Sequence, residues 1–177
     1  VSALGDPDIV VTNAVEQIYP WHTVLEESVE NYESQFRTCV LQNALLAQTF
    51  VPAMRQKNWG RFIGINTECT MNCNPTQSAY ISGKGGQDRL LRVLAKEVGG
   101  DGITVNQVAP GWTISDRYRE DGEIVDPSPE YTQSLPLKRR TVDQDIANAV
   151  CFLASDLACS ITGLYLPVCS GNEMPRI

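Results

Sequence analysis

A chain of 177 residues with 42% hydrophobic and 20% charged residues has the composition of an ordinary globular domain, which excludes an intrinsically disordered segment. Lys and Arg number 14 against 21 Asp and Glu, a formal charge of −7, so neither a broad nucleic-acid-binding face nor one for anionic membranes is expected. No apolar run approaches the roughly 20 residues of a membrane span, and no signal-peptide pattern opens the chain, so a cytoplasmic protein is expected.

Asp8-Ile9-Val10-Val11-Thr12-Asn13 is a short apolar run closed by turn formers, the pattern of a buried parallel strand. From Ser28 to about Lys57, apolar or aromatic residues recur at Val29, Tyr32, Phe36, Val40, Ala44, Ala47, Val51 and Met54. Those steps of three and four mark one face of a long helix with Ser28 as its N-cap. Pro52 is expected to kink or divide its last turn. A second strand reads at Arg61–Asn66, and Gln77 to about Val98 is again helical, with Leu90, Leu94 and Val98 on one face and Gly99-Gly100 ending it. Gly83, Gly85 and Gly86 lie inside that helix, each costing up to about 1 kcal/mol relative to alanine. Such a cost points to close approach by another backbone or by a ligand. Ile103–Val108 reads as a third strand before the turn Ala109-Pro110-Gly111. A polar loop follows at 114–129, longer than ordinary connections and therefore mobile or a lid over a site. Val142–Ala154 is a helix with Ile146, Val150 and Leu153 inward, and Leu164–Val168 is a final strand. This alternation predicts an α/β domain with a parallel sheet and right-handed crossovers.

The six cysteines, Cys39, Cys69, Cys73, Cys151, Cys159 and Cys169, are spread through apolar or helical contexts and are expected as reduced thiols. Cys69 and Cys73 are close, but no second ligand pair follows and His22 is the single histidine, so no metal site is expected. The best candidate for chemistry is Tyr80-Ile81-Ser82-Gly83-Lys84. On a helix, positions i and i+4 share a face, and an ammonium beside a phenol lowers the phenol's pKa, which suits acid/base work near neutrality. The spacing alone fits equally well an ordinary solvated Lys beside a half-buried Tyr. Thr67 lies at the carboxyl end of a strand, where α/β folds place ligands, and Asn106–Gly111 forms another such strand end.

Taken together these residues resemble the short-chain dehydrogenase/reductase family. The match runs through Asp8–Ala14, Tyr80 and Lys84, Gly102–Asn106 leading into Ala109-Pro110-Gly111, Asp145–Val150, Leu153–Asp156 and Ile161–Gly163. The resemblance implies a Rossmann-like three-layer domain with about four strands in this chain. It also implies hydride transfer between NAD or NADP and a small-molecule carbonyl or alcohol. Tyr80 would be the acid/base, Lys84 would tune it and hold the nicotinamide ribose, and Thr67 would take the place of the family's serine on the substrate oxygen. Asn13 and Ala14 would border the cofactor, with Pro110, Gly111, Thr113 and Ser115 flanking the nicotinamide.

Three departures stand beside that match. Cys39 aligns with the family's helix asparagine, which supports a proton relay to the lysine, and Asn43 one turn on is the available stand-in. Val15 replaces the glycine of the family's Asn-Asn-Ala-Gly strand end. The Gly-rich turn that cradles the pyrophosphate does not occur here, so the expectation is an incomplete domain entered in mid-sheet, with a cofactor only if that half is supplied. The strand at Asp8–Asn13 would then be an apolar edge needing cover, which makes a homo- or hetero-oligomer expected and a stable isolated monomer not. A catalytically impaired subunit serving as a structural partner is the alternative reading. A cofactor-independent lyase similar to halohydrin dehalogenases is a weaker one, because those typically carry arginine where this chain keeps Lys84.

Overall fold

The computed structural model describes residues 5–115, 118–120 and 123–174. Four strands form one parallel sheet in the order β1 (Ile9–Thr12), β2 (Gly60–Ile65), β3 (Ile103–Pro110) and β6 (Tyr165–Val168). The apolar runs align in register, so that Val10 lies beside Phe62 and Phe62 beside Val105. That row faces α2 (Gln42–Lys57) and α4 (Ser78–Val98), where Val51, Met54, Leu91, Ala95 and Val98 close one core. Ile63 and Val108 point the other way, onto α6 (Asp143–Ala154), where Ile146, Val150 and Leu153 pack as their spacing requires. Three layers result, the parallel sheet that the alternation predicted lying between helices on both faces. Among the described residues no helix is long and apolar enough to cross a membrane.

The predicted long helix from Ser28 is three pieces. Ser28 caps α1 (Val29–Gln35), its hydroxyl accepting the Asn31 N–H at 3.1 Å. A π-helical segment follows at Phe36–Leu41, and then α2 runs through Pro52 to Lys57 without division at the proline. Helix α4 continues into a short 3-10 turn at Gly99–Asp101. Two of its glycines show the close approach expected of them, since a β-carbon on Gly83 would sit 2.9 Å from the Gln35 carbonyl oxygen of α1 and one on Gly86 2.8 Å from a Val40 methyl, whereas one on Gly85 would meet nothing within 4 Å. At the edge, β1 leaves Ile9 and Val11 each 44% exposed.

The 114–129 loop is partly structured. It holds a small antiparallel ladder between β4 (Arg119–Glu120) and β5 (Glu123–Ile124), and α5 (Pro129–Ser134) follows. Residues 116, 117, 121 and 122 of that loop lie outside the described residues. A four-residue helix, α3 (Cys69–Asn72), lies between β2 and α4.

Candidate active site

Parallel strands bring their carboxyl ends to one edge, and this edge collects the candidate residues. Chain leaving β2 continues as Asn66-Thr67-Glu68, and chain leaving β3 turns at Pro110-Gly111. Thr67 is buried, and its hydroxyl accepts the Cys69 N–H at 3.2 Å. Tyr80 stands in the first turn of α4, half-buried, with the Trp21 ring edge-on at a centroid distance of 5.8 Å. Lys84, one turn further on, is 3% exposed. Its Nζ donates to the Ile65 carbonyl at 2.7 Å and to Gln87 Oε1 at 3.3 Å.

That placement corrects the electrostatic expectation. Burial pushes the Tyr80 phenol above its ordinary value, with a hydrogen bond from Thr67 opposing the rise. Burial likewise lowers the Lys84 ammonium, opposed by nearby Cys39. The Lys84 ammonium is instead directed at the carbonyl at the end of β2.

Two cavities open beside these residues. One, of about 600 Å³, is lined by Asn13, Thr67, Tyr80, Lys84, Pro110, Gly111 and Thr113, and by Ile146, Ala147 and Val150 of α6. The other, of about 610 Å³, shares Thr67, Tyr80, Gly111 and Thr113 and adds Ser115, Trp21 and Glu68. Ala14 is exposed and lines neither. Trp112, Tyr118 and Tyr131 all line the second cavity, which joins them to the site as well as to the loop. Trp112 Nε1 donates to the Tyr118 hydroxyl at 3.1 Å, and the Trp112 and Tyr131 rings lie 5.2 Å apart. The buried Arg140 guanidinium stacks at 4.2 Å from the first ring and 5.0 Å from the second, and its charge is answered by Asp126 at 3.1 Å.

The position aligned with the family's helix asparagine falls inside the π segment. Cys39 is 1% exposed, and burial raises its thiol pKa. The neighbouring Asn43 donates to the Cys39 carbonyl at 2.7 Å and accepts from the Thr12 hydroxyl at 2.7 Å, so its amide ties the helix to β1. All six cysteines are free thiols.

Four residues at this edge went unmarked by sequence reasoning. Trp21 packs on Tyr80, and Asn66 and Tyr165 surround Thr67 with hydrogen bonds. Glu68 is buried on the cavity wall, with Oε1 accepting from Tyr131 at 3.3 Å and Oε2 meeting no donor at hydrogen-bond geometry among the described residues. Burial raises its carboxyl pKa, the Asn172 amide and Cys169 thiol beside it opposing the rise. Adjacency to Thr67 was the available signal for Asn66 and Glu68; Tyr165 and Trp21 had none.

A family model described as enoyl-(acyl carrier protein) reductase matches residues 1–173. The 3-oxoacyl-(acyl-carrier-protein) reductase of Staphylococcus epidermidis is 33% identical over 174 residues, covering 98% of this chain and 70% of that protein. Its counterpart from Pseudomonas aeruginosa is 34% identical over 171 residues, 97% of this chain and 68% of that one. Among solved structures, a protein assigned as a betaketoacyl-ACP reductase superposes with a TM-score of 0.84 at 31% identity, covering 96% of this chain and 70% of its own. A dehalogenation enzyme superposes with a TM-score of 0.80 at 26% identity over the same shares.

Proposed function

The chain belongs to the short-chain dehydrogenase/reductase family, and from that premise we propose that it is an NAD(P)-dependent oxidoreductase interconverting a small-molecule carbonyl and its alcohol. The observation that carries this reading is the convergence of Thr67, Tyr80 and Lys84 on a common cavity at the carboxyl edge of β2 and β3. A nicotinamide ribose end fits there. Asn13, Lys84, Pro110, Gly111 and Thr113 would hold it, with Ser115 in the adjoining cavity. Among the described residues no Gly-rich turn joins a strand to a helix, so no residues are assigned to the pyrophosphate end.

When bound, the nicotinamide supplies or accepts a hydride at the reacting carbon. The chain's own part is proton chemistry at the oxygen. Thr67, its lone pair engaged by the Cys69 N–H, keeps its proton and donates a hydrogen bond to the carbonyl oxygen, orienting and polarising it. Tyr80 delivers its phenolic proton to the same oxygen as the carbonyl becomes an alcohol, and takes it back in the reverse direction. Trp21 against the phenol excludes water from that side. The second cavity, with Trp112, Tyr118 and Tyr131 on its wall, receives the rest of the substrate, and the 114–129 segment serves as its lid. Lys84 in place of arginine separates this reading from that of a cofactor-independent lyase.

Titration of NADH and NADPH against the fluorescence of the three tryptophans, followed by steady-state turnover of a carbonyl panel, tests the proposal. Binding with turnover that Tyr80→Phe abolishes supports it. Turnover that survives Tyr80→Phe removes Tyr80 as the acid/base. Binding of neither cofactor favours the second reading, a non-catalytic subunit, which is supported by Cys39 in place of the family's asparagine. Under either reading we propose an oligomer, because Val29, Phe36 and Leu45 on the helices beside α4 are 67%, 52% and 61% exposed. Light scattering with mass determination tests it, and a monodisperse monomer overturns it.

A further inference from the structure

We propose that Asn66 and Tyr165 are positioning residues that hold Thr67 in register with the helix carrying Tyr80 and Lys84; the inference rests on the oxidoreductase reading above. Asn66 stands at the end of β2, is 3% exposed, and engages both faces of its side-chain amide. Its Oδ1 accepts the backbone N–H of Thr67 at 2.9 Å. Its Nδ2 donates one hydrogen to the Lys84 carbonyl at 3.0 Å and the other to Gln107 Oε1 at 2.8 Å. One side chain therefore grips the backbone of the residue expected to polarise the substrate oxygen and the backbone of the residue expected to hold the ribose. Gln107 is fixed in turn, donating to Asp88 Oδ1 on the same helix at 2.9 Å. The grip is anchored on both β3 and α4.

Tyr165 closes the arrangement from β6. Its hydroxyl lies 2.6 Å from the Thr67 carbonyl oxygen and 2.9 Å from Asn66 Oδ1, able to give its one proton to either, with the Thr70 hydroxyl alongside. Thr67 is thus held at its N–H by Asn66 and at its carbonyl by Tyr165, two residues nearly a hundred positions apart in the chain. The Lys84 ammonium adds a parallel tie to the Ile65 carbonyl. A site in which an alcohol oxygen must meet a threonine hydroxyl and a phenol together depends on this spacing, since small misplacements of reacting groups are costly in rate.

A matched control lies on the same sheet. Asn106 is equally buried and also clamps chain, donating to the Ile161 carbonyl at 2.8 Å and accepting the Leu164 N–H at 3.1 Å, but it lines neither cavity. The experiment compares the parent protein with Asn66→Ala, Tyr165→Phe and Asn106→Ala. The readouts are kcat and KM with NADH and NADPH on ethyl acetoacetate and acetophenone, thermal unfolding, and backbone amide exchange over peptides spanning 65–70. Asn66→Ala is expected to lower kcat by about ten- to a hundredfold with KM for the nicotinamide changed little. The Thr67 amide should exchange faster while peptides of α6 keep their protection. Tyr165→Phe, which retains the ring and removes the hydroxyl, should act in the same direction and more weakly. Asn106→Ala should lower the unfolding temperature and leave kcat in place. If kcat in Asn66→Ala falls no further than in Asn106→Ala at equal loss of stability, or if Thr67 exchange is unchanged, the positioning role is overturned. If the parent protein binds neither cofactor and reduces neither carbonyl, the oxidoreductase reading falls and the role falls with it.

Discussion

Two glycines on one helix turn should respond differently to alanine, Gly85 gaining stability and Gly83 gaining none or losing it. Gly83 and Gly85 both sit inside α4, where replacing glycine by alanine gains about 0.8–1 kcal/mol of intrinsic helix stability. A β-carbon on Gly85 meets nothing within 4 Å, so Gly85→Ala keeps that gain, which for a chain of this size corresponds to a rise in Tm of about 2–4 °C. On Gly83 the same β-carbon would lie 2.9 Å from the Gln35 carbonyl oxygen, 3.0 Å from Gln35 Cβ and 3.1 Å from its carbonyl carbon. Two of those atoms are backbone and Gln35 is fully buried, so no side-chain rotation relieves the contact, and α1 must retreat from α4. Overpacking of this kind costs about 1–3 kcal/mol, which cancels the helix gain or exceeds it by up to about 2 kcal/mol. Gly86→Ala falls between them, because its close neighbour at 2.8 Å is a single Val40 methyl that can move. Calorimetric unfolding of the three variants in one buffer decides the matter. Equal stabilisation by Gly83→Ala and Gly85→Ala would refute the claim that α4 carries its glycine for contact with α1.

Further expectations concern titration and thiols. Burial raises the Glu68 carboxyl, so as pH climbs from the ordinary glutamate range through that raised value the unfolded chain ionises first and the folded state loses stability. Glu68→Gln removes this loss. At neutral pH it should unfold later than the parent by an increment worth about 1 kcal/mol or more, the difference vanishing in acid, as unfolding scans across pH will show. An unchanged difference across that range refutes it. Ellman's reagent on the native protein should find the exposed Cys73, Cys151 and Cys159 quickly, and Cys39 and Cys169 only after denaturation. A raised phenol on Tyr80 stays protonated through neutrality, the form that carbonyl reduction consumes and alcohol oxidation does not. Reduction should therefore be flat with pH near neutrality while oxidation accelerates as pH rises, and initial rates measured in both directions check it.

The sheet was legible because each strand is a short apolar run between turn formers, and because Val10, Phe62 and Val105 could only be buried side by side. Helix faces were legible for the same reason, since Ile146, Val150 and Leu153 repeat at the helical period. The π segment at Phe36–Leu41 was not, because a local widening leaves the apolar residues on nearly the same face and the period barely changes. Pro52 misled in the opposite sense, its cost being absorbed in a helix whose Val51 and Met54 are firmly buried in the core.

In the site, spacing alone brought Tyr80 and Lys84 to one side of α4, and there its authority stopped. Spacing places a side chain's base, and the polar groups that compete for its tip come from elsewhere in the chain. For Lys84 the competitor is the Ile65 carbonyl, left at the end of β2 where β3 continues and helix α4 crosses. For Thr67 the partners are Asn66 beside it and Tyr165 on a strand formed last in the chain. Each of these is a buried polar group that must find a partner, and burial is what makes the pairing strong. The same rule that hid the network from the sequence makes it a candidate for precision in the folded protein. A polar residue interrupting an apolar strand at the carboxyl edge of a parallel sheet, as Asn66 does after Phe62–Ile65, is therefore a reason to ask which backbone it holds. Here it holds Thr67 and Lys84 at once.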